Sequence, residues 1–260
     1  MTELMKAWPK IKKRILKYPA KCLFLDFDGT LVRIANTPDR VVLSDKTLQI
    51  LTLLSRRRDY HLIVISGRSI FDLKKYIPFK KNLLFSGNHG FELNGSHTVL
   101  PSRAHRAKKH HFLLQILLQK LRFSFSHIPG VLVEDKGYTA SIHFRNISPQ
   151  TLPLFSELIT FYRAKYRKHP LLWRLGKKVW EIRPNAHWDK GNTALYIMKH
   201  HPGALPIVIG DDSTDEDMFH ALKNTGITIR VGYSKKSAAA YYLESQTEVI
   251  KFLEKLYAIA

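Results

Sequence analysis

The feature that most constrains the fold of this chain is an alternation in which short, β-rich apolar runs recur with stretches of helical periodicity between them. The runs are Cys22–Asp26, His61–Ile65, Leu83–Ser86, Pro206–Gly210 and Gly226–Val231. Apolar residues at helical spacing mark Asp45–Arg57, Gly191–His200 and Glu216–Leu222. Strand and helix in turn imply an α/β architecture, a parallel sheet with helices on both faces. Polar residues cluster just after the runs. Open α/β sheets bind ligands outside the carboxyl ends of their strands, so the site is expected there.

Between about Arg103 and Arg183 the texture changes. A helix-like segment, Lys108–Phe125, precedes strand-like pieces at Val131–Glu134 and Thr139–Phe144. A second helix, Pro149–Arg167, precedes strands near Leu171–Leu175 and Val179–Ile182. This α-β-β-α-β-β order reads as a smaller α+β domain (103–183) inserted into a core made of 1–102 and 184–260. Near the N-terminus, the spacing of Trp8, Ile11 and Ile15 predicts an amphipathic helix packed on the core.

The 260 residues, 45% of them hydrophobic, suffice for a full core plus an inserted domain. The single cysteine, Cys22, lies in the apolar run KCLFLDF, which excludes an intrachain disulfide and predicts a small buried residue. No apolar stretch approaches the ~18 residues of a membrane span, and the N-terminal segment lacks the apolar core of a secretory signal. A cytoplasmic location is expected. The 42 Lys and Arg against 21 Asp and Glu give a formal charge of +21, which attracts polyanions, acidic surfaces or small anionic substrates. No recognised nucleic-acid-binding signature accompanies the charge, which argues against nucleic acid as the partner.

Four elements carry chemistry. LFLDFDGTLV ends an apolar run with Asp26 and Asp28, and a period of two aims both carboxylates into one space. Two carboxylates brought together imply a bound cation, a protonated carboxyl, or both. A phosphatase can use both: an ionised Asp26 could attack phosphorus, while a protonated Asp28 donates to the departing oxygen. Gly29 lets the turn expose backbone N–H groups, although Asp-Gly is also an ordinary turn dipeptide. Second, Ser66, Gly67 and Arg68 follow HLIVI and offer a hydroxyl and a flexible backbone to a phosphate oxygen; read alone, Ser-Gly is a common loop signal. Third, Asp189-Lys190-Gly191 opens a helical segment from which Lys190 can neutralise charge on Asp26 and a transferring group; a solvated lysine is the plainer reading. Fourth, PIVIGDDSTDEDMF packs five acids into seven residues of a basic protein, clustered oxygen ligands that indicate a hard cation, although Mg2+ needs only one or two of them. Asp211 is assigned to the metal, and Glu216 and Asp217 to the start of the next helix.

Taken in order, DxDGT, a strand-end Ser, a Lys and GDD resemble the haloacid dehalogenase (HAD) superfamily, whose core is a Rossmann-like parallel sheet. LFLDFDGTLV, VISGRS, SGNHGFEL, WEIRP, WDKG and GDDSTDEDMF are similar to trehalose-6-phosphate phosphatases in particular. The resemblance implies Asp26 as nucleophile and metal ligand, Asp28 as general acid/base and backbone-carbonyl ligand, and Asp211 as completing a Mg2+ site. Ser66 and Lys190 complete the catalytic set, and Gly67 and Arg68 belong to the substrate site. VEDKGYTASIHFR is similar to a cap segment that meets the sugar, which makes Glu134, Lys136, His143 and Arg145 candidate substrate contacts, with Asn88 and His89 from the core. The implied reaction is Mg2+-dependent hydrolysis of a sugar phosphate, trehalose 6-phosphate, with a functional link to a trehalose-phosphate synthase. Two other readings stand beside it: a related capped phosphatase acting on sucrose phosphate or mannosylphosphoglycerate, and a catalytically idle polyanion-binding module.

Overall fold

The computed structural model of the chain describes residues 1–35, 37, 40–78, 82–94, 110–185 and 188–259. It divides into two compact units, Met1–Thr98 with Asp189–Ala260, and Val99–Trp188.

Among the described residues of the larger unit, eight strands form one sheet. They are β1 (Thr2–Glu3), β2 (Lys21–Leu25), β3 (Tyr60–Ile65), β4 (Leu83–Gly87), β5 (Glu92–Asn94), β10 (Leu205–Gly210), β11 (Ile227–Val231) and β12 (Tyr241–Leu243). Their spatial order is β1-β12-β11-β10-β2-β3-β4-β5. Every neighbouring pair is parallel except β4 and β5. The continuous apolar runs follow from burial on both faces. Leu23, Leu25, Leu62, Val64, Ile207 and Ile209 enter one core cluster. The alternate residues Cys22, Phe24, Ile63, Ile65 and Val208 enter another. The first cluster also takes Ile11 and Ile15 of α1 (Trp8–Ile15), the apolar stripe of α2 (Asp45–Arg56), and Val249, Phe252, Leu253 and Leu256 of the C-terminal helix Gln246–Tyr257. The amphipathic N-terminal helix thus packs on the core as its spacing predicts, and burying each isoleucine contributes about 1.5–3 kcal/mol. The second cluster is closed by helices Lys190–Lys199 and Glu216–Leu222.

The chain runs outward from central β2 to β3 and β4, then returns on the other side as β10. Strand order therefore reverses between β2 and β10, and the crevice at such a reversal is where ligands bind. Helix starts on this side are fixed by side-chain caps. Ser69 Oγ accepts from the Asp72 N–H at 3.1 Å, starting α3 (Ile70–Tyr76), and Asp189 Oδ1 accepts from the Asn192 N–H at 2.8 Å.

The smaller unit has the α-β-β-α-β-β order expected of it: helix His111–Phe125, β6 (Leu132–Asp135), β7 (Ala140–His143), helix Leu152–Lys165, β8 (Leu171–Gly176) and β9 (Val179–Pro184). Its antiparallel sheet, ordered β6-β7-β9-β8, packs Ala140, Ile142 and Ile182 against Leu117 and Leu121 of the first of these helices and Phe155 and Ile159 of the second. The expected start of the insert at 103, the basic run Arg103–Lys109 and the first residues of the expected helix lie outside the described residues. The expected end at 183 falls inside a strand. β9 stays in the small sheet through Pro184, which pairs with Leu171, so the second boundary comes later.

Candidate active site

Asp26 directly follows β2, Ser66 follows β3, and Asp211 follows β10. These three strands are neighbours, so parallel register brings the three residues to one edge of the sheet. The Asp26 N–H still donates to the Ile209 carbonyl at 3.0 Å, extending the ladder to the site.

Lys190, the first residue of its helix, is buried and bridges two buried acids. Its Nζ donates to Asp26 Oδ1 at 2.7 Å and to Asp215 Oδ1 at 2.8 Å. Asp215 Oδ2 accepts from the backbone N–H groups of Asp211 at 2.9 Å and Asp212 at 3.0 Å. Asp215 therefore ties the lysine to the loop that carries Asp211. Burial pushes the Asp26 pKa well above the ordinary carboxylate range, the adjacent Asp215 and Asp211 carboxylates push the same way, and Lys190 opposes them. Burial also works against the Lys190 ammonium, but Asp215 and Asp26 outweigh it and hold its pKa above the ordinary value. Three carboxylates face one lysine, an excess of negative charge that a cation relieves.

Ligand atoms of Asp26, Asp211 and Asp215 all lie within 4.8 Å of one another, and all three residues are buried. An all-oxygen set of this kind suits a hard divalent cation. Gly29 is required beside it. Its φ is +89°, and a Cβ there would collide with the Asp211 carboxylate. The residues present fit a divalent metal.

Strand β2 ends at Leu25, and Asp28 lies in the turn that follows, so its direction is set by the turn and not by a strand's period of two. Asp26 and Asp28 are paired with different side-chain cations. The Asp28 carboxylate is paired with Arg68, Nε to Oδ2 at 2.7 Å and Nη2 to Oδ1 at 2.8 Å. Arg68, expected as a substrate contact, is thus engaged with the candidate acid/base. Ser66 is buried and its Oγ accepts from the Arg68 N–H at 3.2 Å, while Gly67 sits half-buried in the same turn.

Asn88 and His89 are both buried at the carboxyl end of β4, with φ of 50° and 56°. Two successive non-glycine residues in the left-handed region store strain, which concentrates at functional sites. They are tied to the neighbouring loop, the Asn88 N–H donating to the Arg68 carbonyl at 2.8 Å and the His89 N–H to the Ser66 carbonyl at 2.9 Å.

In the smaller unit, Glu134, Lys136 and His143 come together. His143 Nε2 lies 2.7 Å from Glu134 Oε2, and Lys136 Nζ lies 3.6 Å from the same oxygen. Glu134 pairs with Ser141 across β6 and β7, and Ser141 and His143 alternate with core residue Ile142, so the cluster occupies the sheet face away from the helices. Arg145 does not join it, since its Nη2 donates to the Lys177 carbonyl at 3.0 Å. Asp215 is the residue that motif reading left unassigned. Its signal is the four-residue step from Asp211, which lets a loop carboxylate turn back onto the backbone that precedes it.

Comparison with known proteins agrees with this geometry. Residues 24–247 match the family model described as Trehalose-phosphatase. The trehalose-phosphate phosphatase of Mycobacterium tuberculosis H37Rv is 32% identical over 254 residues, covering 93% of this chain and 62% of that protein. Probable trehalose-phosphate phosphatase E of Arabidopsis thaliana is 32% identical over 255 residues, covering 90% of this chain and 69% of that protein. The C-terminal domain of Candida albicans trehalose-6-phosphate phosphatase superposes with a TM-score of 0.78 at 22% identity, covering 97% of each chain. The sucrose-phosphatase of Synechocystis sp. PCC6803 superposes with a TM-score of 0.58 at 17% identity, covering 90% of this chain and 98% of that one. Fold and site together define a HAD-type α/β core with a smaller inserted α+β domain. Within that class, the chain belongs to the trehalose-phosphatase family. It spans about 62% of the length of the first curated relatives it matches.

Proposed function

We propose that this chain is a Mg2+-dependent phosphoric monoester hydrolase that converts trehalose 6-phosphate to trehalose and phosphate. The observation that carries the reading is the buried Asp26–Lys190–Asp215 bridge beside Asp211. The names of the relatives support the substrate. Asp26 Oδ attacks phosphorus in line and forms an aspartyl-phosphate as the bond from phosphorus to the sugar oxygen breaks. Asp28 gives its proton to that oxygen. It then takes a proton from the water that attacks phosphorus and frees the Asp26 carboxylate. Lys190 offsets charge on the nucleophile and the transferring group, and Ser66 with the following Gly67 turn holds a phosphate oxygen. Asp26, Asp211 and the Asp28 carbonyl would hold Mg2+, which when bound supplies positive charge at the phosphate oxygens. Glu134, Lys136, His143 and Arg145, with Asn88 and His89, serve as sugar contacts. The reaction is placed in the cytoplasm, with a trehalose-phosphate synthase as functional partner. Among the described residues, no helix is long and apolar enough to cross a membrane.

Phosphate release from a panel of sugar phosphates, with Mg2+ and with EDTA, tests the reading on the native chain and Asp26→Asn. Selective, Mg2+-dependent release from trehalose 6-phosphate that is lost in the variant is the expected result. Preference for sucrose phosphate or mannosylphosphoglycerate would keep the chemistry and reject the sugar. No release from any member, with tight and salt-sensitive polyanion binding, would reject the enzyme.

A further inference from the structure

Asp28 sits in a turn past the end of β2, and its side chain is 37% exposed. A carboxylate so placed has rotamer freedom that a proton shuttle must lose before it can act. Both of its oxygens accept from one guanidinium, at 2.7 and 2.8 Å, in the bidentate fork that fixes a carboxylate plane. Arg68 is itself held. Its side chain is only 10% exposed, and its guanidinium carbon lies 5.4 Å from the Phe27 ring centroid and 5.5 Å from that of Tyr76. Its N–H donates to Ser66 Oγ, and its carbonyl accepts from the Asn88 N–H. The fork uses one lone pair on each oxygen and leaves roughly two of the carboxylate's four lone-pair positions for a proton in transit.

We infer that Arg68 is the positioning residue of the acid/base step, holding the Asp28 carboxyl group in the orientation from which its protonated form hands a proton to the leaving oxygen. This rests on the assignment of Asp28 as acid/base in the proposed function. Lysine cannot make the two-pronged contact, so Arg68→Lys keeps the charge and most of the stem but releases the carboxylate plane.

The leaving group distinguishes positioning from substrate binding and from a general structural role. A sugar oxygen must be protonated as it departs, whereas p-nitrophenolate departs without a proton. With Mg2+ present, Arg68→Lys is expected to lower kcat on the sugar phosphate by about 10²-fold, the low end of what acid/base catalysis contributes. KM is expected to stay within about threefold, since no uniform binding is removed. With p-nitrophenyl phosphate, the first-turnover burst of p-nitrophenolate is retained and only later turnovers slow, because freeing Asp26 still needs Asp28 as base. Asp28→Asn should give the same pattern, and the double variant should be no slower than Asp28→Asn alone.

A raised KM with kcat unchanged would make Arg68 a substrate contact and overturn the inference. So would a burst lost in proportion to kcat, or losses that multiply in the double variant. If Asp28→Asn alone leaves sugar-phosphate turnover intact, the acid/base assignment itself fails. If that variant is impaired while Arg68→Lys is normal, only the inference fails. Should Arg68→Lys not fold, Tyr76→Leu, which removes one ring behind the guanidinium, should show a weaker form of the same leaving-group pattern, and its absence there would overturn the inference.

Discussion

The larger and smaller units each assemble a cluster of charged side chains, and the two are built differently. In the larger unit, Asp26, Lys190 and Asp215 are buried, Lys190 and Asp215 are hydrogen-bonded to each other, and Asp215 is also bonded to backbone N–H groups. In the smaller unit, Glu134 and His143 are about one-fifth exposed and meet side chain to side chain on adjacent strands. The first arrangement cannot shift without breaking several bonds in a low-dielectric interior, where charged groups interact most strongly. The second can re-pair with polar groups of a ligand. In the proposed function, rigid charge suits a reaction whose catalysis is mainly positioning and electrostatics, and adjustable polar contacts suit recognition of a sugar.

That contrast breaks if the two clusters respond alike to substitution. The largest effect is expected from Asp26→Asn, which removes the proposed nucleophile and should cut phosphate release by on the order of 10⁴-fold or more. Lys190→Met should also abolish turnover, and it leaves Asp26 and Asp215 buried without their cation. Thermal or urea unfolding should show a loss of about 3–5 kcal/mol, the cost of orphaning a buried charge pair. A Lys190→Met protein as stable as the native one would mean that the bridge does not hold the site together.

Glu134→Gln should act on recognition instead. Its KM for the preferred sugar phosphate is expected to rise by about 10- to 100-fold, matching the loss of a charge-assisted hydrogen bond, while kcat changes little. A fall in kcat with KM unchanged would place Glu134 in the chemistry and erase the distinction between the units.

How far each cluster was legible in the sequence follows from the same contrast. The strand ends were plain because β2, β3 and β10 are buried on both faces, so that Cys22 and Phe24 are as apolar as Leu23 and Leu25. Asp26, Ser66 and Asp211 stand one residue past such strands and could be placed without coordinates. Asp28 was named by its motif, but strand alternation does not set its direction, because the strand ends at Leu25. Its pairing with Arg68 joins residues 40 apart, and no local pattern encodes such a contact. Asp215 was hidden among four neighbouring acids, since only the folded loop shows that its carboxylate turns back onto the N–H groups of Asp211 and Asp212 while its backbone begins the next helix. In the smaller unit, Glu134 and His143 sit on alternating strands where packing and recognition look alike, and without the resemblance they could not have been singled out.

Acid should expose a smaller difference, at the far end of the larger unit's sheet. Burial alone would raise the pKa of Asp59, but hydrogen bonds from Arg57 and Lys21 and their charges bring it down to about 2. Because the folded value lies below the ordinary value of about 3.9, this contribution is complete above that value and is lost as pH falls from there toward 2. Asp59→Asn should be less stable than the native protein at neutral pH, and the gap should close as acid unfolding is followed down through this window. A gap that stays constant with pH would mean that the ion pairs contribute nothing and only the packing of residue 59 matters.

The smallest effect gives a way to watch the two units separately. Cys22 is the only cysteine in the chain; it is fully buried in the larger unit, and burial pushes its thiol up to about 12. The reactive thiolate is therefore scarce at neutral pH and is shielded by Phe24, Ile63 and their neighbours in the same core cluster. Labelling by a thiol reagent should be slow in the native protein and should track opening of the larger unit alone. In Phe155→Ala, which hollows the smaller unit's core, the labelling rate should remain within about twofold of native if the units open independently, even as that unit's amides exchange faster. An acceleration of Cys22 labelling in step with the faster exchange would show that the two units unfold together, and the separation of rigid chemistry from adjustable recognition would then be one of local geometry and not of stability.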